Sequence, residues 1–545
     1  MGGCFEATPW PPCTLEAGPE CFDSAGATTG EIGSSSGAGG ESIQTVTGAS
    51  TPTTTIEPTA GPATAGTSEG TENAPPVIEL FAVQPGHLGE AGPALVQLAA
   101  SEDVVTARLY LDGVELAALT PAAFPHVYEA LSAKDNGERV FKVVVEDAEG
   151  LTATAEATLT VQLPPAGAQK CLFVDGEAVS SVVAGLVYTD AAIVAVGTRD
   201  TGVGFRATVW KLGPDHCEVL PGWPKTIADW TADPALAAVP SRASAIAVDE
   251  AGNLAIGANL TKDGKPQRYV AFLNPDGARL WEKPGKVGEE VAGIAVTPET
   301  VVAVGWQRTS ENPVRTDAML WRHLEGGGVW AQTLKAPFAA GEFPDELNSY
   351  SEWARAVLYD PGTGLVSVVG DRELKVNANE VFRRSFIARV VPLGGPVGEP
   401  WTSSGDVLPN DGTNAIGSCD GEILLGGWAR DKPLDTPLQP LVRWIGDDGI
   451  PDKRLVEAMP ATQTHGVACD REGKIVHAAS RLSGQIDARV FAFADPLGPR
   501  IWYEQGTPGD DAAGALACGG RGFCAWGGFR TQDGKLLAVV RVHHL

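Results

Sequence analysis

The sequence predicts an all-β protein, in which a disordered N-terminal linker precedes a β-sandwich and then a ring of seven four-stranded units. Three observations predict it. The chain has 66 Gly and 40 Pro among 545 residues, too many interruptions for long helical periodicity. Short runs with apolar residues at every second position fill the segment after residue 75, the pattern of half-buried strands. Beyond residue 165 the text repeats at intervals near ~50 residues, a spacing typical of closed β architectures.

Composition excludes several function classes. A formal charge of −28, from 40 Lys and Arg against 68 Asp and Glu, repels phosphate backbones, and with no basic cluster to offset it nucleic acid is not an expected partner. No stretch approaches the ~18 consecutive apolar residues of a membrane-spanning helix. HExxH, Walker and strand-following GxGxxG motifs are absent, and no cofactor is implied.

Residues 1–75 contain no Lys or Arg and long runs of Ser, Thr, Gly, Ala and Pro. Such text cannot bury enough apolar surface to offset its ordering entropy, and a disordered tether is expected. Its start, Met1-Gly2-Gly3-Cys4, resembles the tail of a bacterial lipoprotein signal. With the basic and apolar regions of a signal peptide missing, the resemblance implies a true start further upstream, a lipid on Cys4, and membrane association through that anchor only. A soluble chain with an ordinary cysteine is the alternative. Setting Cys4 aside leaves Cys13, Cys21, Cys171, Cys217, Cys419, Cys469, Cys518 and Cys524, an even set suited to disulfides in an oxidising compartment. Local spacing favours Cys13 with Cys21 and Cys518 with Cys524, and leaves the other pairings open. No spacing is CxxC, so no metal site is expected.

The segment 76–164 carries the strands VIELFAV, ALVQLAAS, VTARLYLDGVELA, HVYEAL, ERVFKVVVEDAEG and LTATAEATLTVQL. Asp112-Gly113 marks a two-residue hairpin, because a type I′ turn needs positive φ. About seven strands in ninety residues fit a sandwich. The order of these strands resembles bacterial immunoglobulin-like (Ig-like) domains of surface proteins, which implies a spacer or adhesion module without catalytic residues.

From 165 to 545 the clearest unit is ASAIAVDEAGNLAIGANLTKDGKPQRYVAFLNPDGARLWEK, read as four strands. Aligning the Gly that ends each second strand gives Gly197, Gly257, Gly305, Gly370, Gly427 and Gly528, with Ala479 in the sixth copy. Seven copies of four strands predict a seven-bladed β-propeller, since each blade leaves apolar faces that only its neighbours cover. The last copy lacks a fourth strand, and residues 170–178 are expected to supply it by pairing with Leu536–Val542, which removes two open edges. Residues Arg315–His323 also read as a helix. The DEAGN turn, the second-strand Gly and the DG before the fourth strand resemble bacterial SBBP-type propeller repeats. Together with the N-terminus this resembles a bacterial (myxobacterial-like) surface lipoprotein.

Just past the aligned Gly lie Arg199, Arg308, Arg372, Arg430, Arg481 and Arg530, with Asn259 in the second copy. By symmetry they predict a cationic ring at one mouth of a central channel, where guanidinium groups match carboxylates. Acid-rich positions nearby, among them Asp229, Asp233, Glu289, Glu290, Asp345, Glu346, Asp406, Asp411, Asp510 and Asp511, favour the opposing reading, in which each Arg braces a neighbouring blade. Trp306, Trp428 and Phe529 directly follow the Gly and suit either packing or rim binding of sugars and peptides. Trp210, Trp321 and Trp444 in third strands and Trp281, Trp330 and Trp502 in fourth strands are expected to pack between blades. Asp249, Asp360, Asp420 and Asp470 recur in turns and are expected to cap them. Adjacent His543 and His544 face opposite ways on a strand and cannot chelate one metal.

The function expected is therefore a non-enzymatic cell-envelope lipoprotein, a monomer whose propeller binds a protein or glycan. A propeller lyase or glycosidase acting on extracellular polysaccharide is the alternative, and it needs paired carboxylates or a His-Tyr set at the axis. A structural surface component without a defined ligand is the third reading.

Overall fold

A computed structural model describes residues 74–544 except 90–91, 131–132, 312–313, 325–327, 335–349, 378–379, 398–400, 403–409, 420–421, 431–437, 446–450, 457–461, 470–474, 482–486, 494–499, 506–510 and 520–521. The linker, Cys4, Cys13 and Cys21 lie outside the described residues, as do Asp345, Glu346, Asp406, Asp420, Asp470 and Asp510. The protein is all-β and antiparallel almost throughout. It divides into two compact units, with the boundary between Pro165 and Ala166.

In the first unit the alternating runs become two sheets around one core. Ile78–Gln84, Gly92–Ala100 and His126–Ala130 form a three-stranded sheet. The second sheet has five strands in the order His87–Leu88, Thr152–Val161, Gly137–Asp147, Val104–Leu111 and Val114–Leu119, the first pair parallel. Phe81, Val83 and Val96 from one sheet meet Leu109, Phe141, Val143, Val145 and Leu159 from the other. Every second residue points inward because the pleat has period two. Asp112 and Gly113 have φ of 51° and 83°, the turn that the sequence predicts. Asp112 also accepts from Arg139 Nη1 and from the Val140 amide, each at 2.9 Å. Those contacts outweigh the opposing effect of partial burial and lower its pKa.

In the second unit the repeats become seven four-stranded sheets. Their leading strands are Ser180–Tyr188, Ser241–Val248, Glu289–Val296, Tyr350–Asp360, Asn410–Cys419, Thr462–Cys469 and Asp511–Gly519. Each adjoins the next in order, and the seventh adjoins the first. Second strands are buried on both faces, as in Leu254–Leu260, which explains why they read as continuous apolar runs rather than alternating ones. The seventh sheet has the order Asp511–Gly519, Phe523–Gln532, Lys535–His544, Gln169–Val174. Its outermost strand thus comes from the start of the unit, with Val539 opposite Val174 and Val542 opposite Cys171.

Residues Val314–His323 are a strand, not a helix, paired with Val301–Glu311 on one side and Val329–Thr333 on the other. Neighbouring strands on both sides override the local helical pattern. Disulfides join Cys171 to Cys217, Cys419 to Cys469 and Cys518 to Cys524. The first ties the outermost strand of the seventh sheet to the loop after the third strand of the first, and the second ties the ends of two successive leading strands. Three disulfides indicate an oxidising compartment. Among the described residues no helix is long and apolar enough to cross a membrane.

Candidate functional site

Every leading strand carries a β-bulge at the same place. Pairing with the second strand skips a residue between Val183 and Gly185, Ala243 and Ala245, Val291 and Gly293, Ala354 and Ala356, Thr413 and Ala415, Thr464 and Gly466, and Ala513 and Ala515. The skipped residues are Ala184, Ser244, Ala292, Arg355, Asn414, His465 and Gly514. A bulge takes its extra residue out of the ladder and re-aims the side chain. All seven line one cavity of about 460 Å³ that all seven leading strands enclose.

The bulge also explains the recurring second-strand Gly. A methyl group on Gly197, Gly305, Gly370, Gly427 or Gly528 would overlap the carbonyl oxygen of Val182, Glu290, Trp353, Gly412 or Ala512, each two residues before a skipped one. The register corrects the second copy: the residue equivalent to Gly197 is Ala258, opposite Ala243, so Gly257 lies one position early.

At the bulge position the larger polar side chains are unevenly spread. Arg355, Asn414 and His465 come from three successive leading strands, whereas Ala184, Ala292 and Gly514 are small. Arg355 Nε donates to Asp371 Oδ2 at 3.1 Å, and both side chains are buried. Burial pushes the Arg355 pKa down, and it pushes the Asp371 carboxyl up despite Arg355 and Arg383 nearby. The guanidinium also lies over the Trp306 and Trp353 rings, at 5.2 and 5.5 Å. Asn414 Nδ2 donates to the Thr464 carbonyl at 3.1 Å. His465 is buried, its Nδ1 has no partner among the described residues, and burial lowers its pKa to about 4, so its imidazole is neutral. Ser244 Oγ donates to the Val291 carbonyl at 2.8 Å. The described residues that line the cavity include no Asp or Glu.

Three residues before each bulge stands a polar residue: Ser181, Ser241, Glu289, Glu352, Asp411, Thr462 and Asp511. Several latch onto the third strand of the preceding sheet. Ser181 Oγ accepts from the Ala538 amide at 2.8 Å, Ser241 Oγ from Ala207 at 2.9 Å, and Asp411 Oδ1 from Ser385 at 2.8 Å. Glu289 takes Arg268 Nε at 3.2 Å instead.

The predicted arginine ring divides. Arg199, Arg372, Arg481 and Arg530 stand opposite Ser181, Glu352, Thr462 and Asp511. Arg308 and Arg430 lie one residue further along, and because side chains alternate along a strand they face the other way. Arg199 forks onto Asp175 at 2.8 and 3.1 Å, and Arg372 pairs with Glu352 at 3.3 Å. Arg308 is exposed. Arg430 is half-buried, lies 5.4 Å over the Trp428 ring, and its Nε has no hydrogen bond among the described residues. The Arg481 side chain lies outside the described residues. None of the other five lines the cavity.

The acids pair mostly with arginines outside that set: Glu290 with Arg242, Glu289 with Arg268 and Asp411 with Arg443. Asp229 and Asp233 cap short helices. Of the aromatics, Trp306 reaches the cavity, whereas Trp428 is 1% exposed and Phe529 is buried with it. Trp210, Trp321 and Trp444 are buried, but Trp330 is 47% exposed, with the Arg322 guanidinium 4.1 Å over its ring. Asp249 and Asp360 cap their turns through the Asn253 and Gly362 amides. Among the described residues no cluster of three His, Cys, Asp or Glu could hold a metal.

Arg355, Asn414 and His465 are the residues that the repeat alignment misses. Their signal is the small-aliphatic pair that follows each: Gly185-Leu186, Ala245-Ile246, Gly293-Ile294, Ala356-Val357, Ala415-Ile416, Gly466-Val467 and Ala515-Leu516.

No family model and no curated protein matches the chain. Solved structures similar to it include Sqt1 of Chaetomium thermophilum bound to the N-terminus of a ribosomal protein, at 12% identity and a TM-score of 0.38, covering 70% of this chain and 100% of that one. The apocarotenoid oxygenase of Synechocystis is 11% identical with a TM-score of 0.36, over 75% of this chain and 91% of its own. A quinoprotein alcohol dehydrogenase-like protein of Bacteroides thetaiotaomicron is 7% identical with a TM-score of 0.32, over 80% and 98%. Likenesses this distant carry no argument about chemistry.

Proposed function

We propose that residues 165–545 are a seven-bladed β-propeller closed by residues 170–178, that 76–164 are an Ig-like spacer, and that the chain is a non-enzymatic binding protein of the bacterial cell envelope, tethered through Cys4. Its ligand is a protein or glycan at the cell surface. The observation that supports this best is the cavity enclosed by all seven leading strands, whose described lining offers no carboxylate. A glycosidase needs two at the axis.

Of the six arginines, Arg308 and Arg430 suit a rim contact. They occupy equivalent positions two sheets apart, and neither is held in an ion pair among the described residues, unlike Arg199 and Arg372. Guanidinium groups and the neighbouring Trp306 suit an anionic glycan. The test is an array of uronic-acid and sulfated oligosaccharides, read for both binding and cleavage. Wild type is expected to bind without cleaving, and Arg308→Ala with Arg430→Ala to lose at least tenfold in affinity at unchanged Tm. Cleavage would replace this reading with the enzyme. A fall in Tm with no change in binding would make these arginines braces.

A further inference from the structure

The cavity is asymmetric in a way that selects a ligand of its own. Around the bulge position, three successive leading strands present Arg355, Asn414 and His465, flanked by Ala292 and Gly514, which leave space at either end, with Ala184 and Ser244 across from them. Val182, Val291 and Ile294 add apolar surface, and Arg242, Ser244 and Asn259 add polar groups on the same side. We propose that the cavity is a binding site for a small, uncharged, mainly apolar molecule carrying one hydrogen-bond-accepting oxygen, such as a ketone or ester, held with that oxygen against the polar wall. This site goes beyond the rim reading above and does not depend on it.

The volume, about 460 Å³, falls within the ~300–1,000 Å³ of small-molecule sites. The Arg355 charge is matched by Asp371 and the Arg242 charge by Glu290, so these pairs leave no net charge to recruit an ion. His465 supplies the specific contact. It lines the cavity and is neutral; its Nδ1 is sealed within the protein and has no partner among the described residues, which leaves Nε2 as the ring nitrogen a ligand can reach. A buried polar atom left unsatisfied costs about 1–3 kcal/mol, and a neutral imidazole has one N–H to donate. A ligand carbonyl that accepts from Nε2–H gives that donor a partner inside the cavity, whereas a ligand without an acceptor leaves it without one.

The probe is 6-propionyl-2-dimethylaminonaphthalene, a neutral aromatic ketone whose emission reports polarity, compared with 6-propyl-2-dimethylaminonaphthalene, which keeps the carbon skeleton and lacks the carbonyl oxygen. The full chain is expected to bind one ketone per molecule with blue-shifted emission, about tenfold more tightly than the propyl analogue. In His465→Leu the two probes are expected to bind equally, and His465→Asn is expected to restore part of the preference. Ala292→Trp and, independently, Gly514→Val should exclude the ketone by filling an open end. Equal affinity of the two probes for wild type, retention of the preference in His465→Leu, or ketone binding unaffected by a folded space-filling variant would each overturn the proposal.

Discussion

Removed from the ladder, the side chain at each bulge faces the cavity, and where it is polar it also answers to a neighbouring strand, as Arg355 does to Asp371 and Asn414 to the Thr464 carbonyl. Arg355 shows the cost of placing charge there. For it and for Asp371, burial outweighs mutual attraction, and both pKa values move toward the neutral forms. Breaking such a pair by removing one partner strands the other charge. Asp371→Asn is therefore expected to destabilise the protein by about 3–5 kcal/mol in urea unfolding, also weakening the 2.8 Å bond from the Thr413 amide. His465 makes stability depend on pH. Its folded pKa, about 4, lies below the ordinary 6.5, so the unfolded chain takes up the proton first. Its contribution is full above the unfolded pKa and is lost as pH falls from about 6.5 to about 4. Between pH 6 and 5 the wild type should lose about 1 kcal/mol per pH unit more than His465→Leu in the same titration.

Strands were legible where local pattern and pairing agreed. The sandwich strands alternate, and Asp112-Gly113 adopts the left-handed turn its composition demands. Val314–His323 misleads because its apolar spacing suits a helix, and only the two strands beside it decide otherwise. The arginine alignment fails for a related reason: a one-residue slip reverses the face of a side chain, and the bulge that fixes the frame is invisible in a list of glycines. The Cys518–Cys524 pairing was readable from proximity. Cys171–Cys217 was not, since it depends on the first and seventh sheets meeting. Replacing both Cys171 and Cys217 with Ser frees a loop of 46 residues and is expected to cost about 3–4 kcal/mol, read as a lower unfolding midpoint under non-reducing conditions.

For the whole molecule, repeat arithmetic in the sequence accounts for seven four-stranded sheets, because each exposes apolar faces that only a neighbour covers. A central channel was legible, but its polar lining by Arg355, Asn414 and His465 was not read, since these residues stand on leading strands far apart in sequence. Among the features that join them is the hydrogen bonding between the two ends of the second unit: the Gly167 amide donates to His544 O at 2.7 Å and the His544 amide to Ala168 O at 3.0 Å. These contacts give the unit adjacent termini. Residues 166–545, joined end to end by a short linker and reopened at the exposed turn between Asp263 and Gly264, are expected to fold as a circular permutant, with Tm within about 5 °C of the unpermuted unit. The order in which the chain visits its sheets is then a matter of genetic bookkeeping, and any of several surface turns could serve as the place where the polypeptide begins.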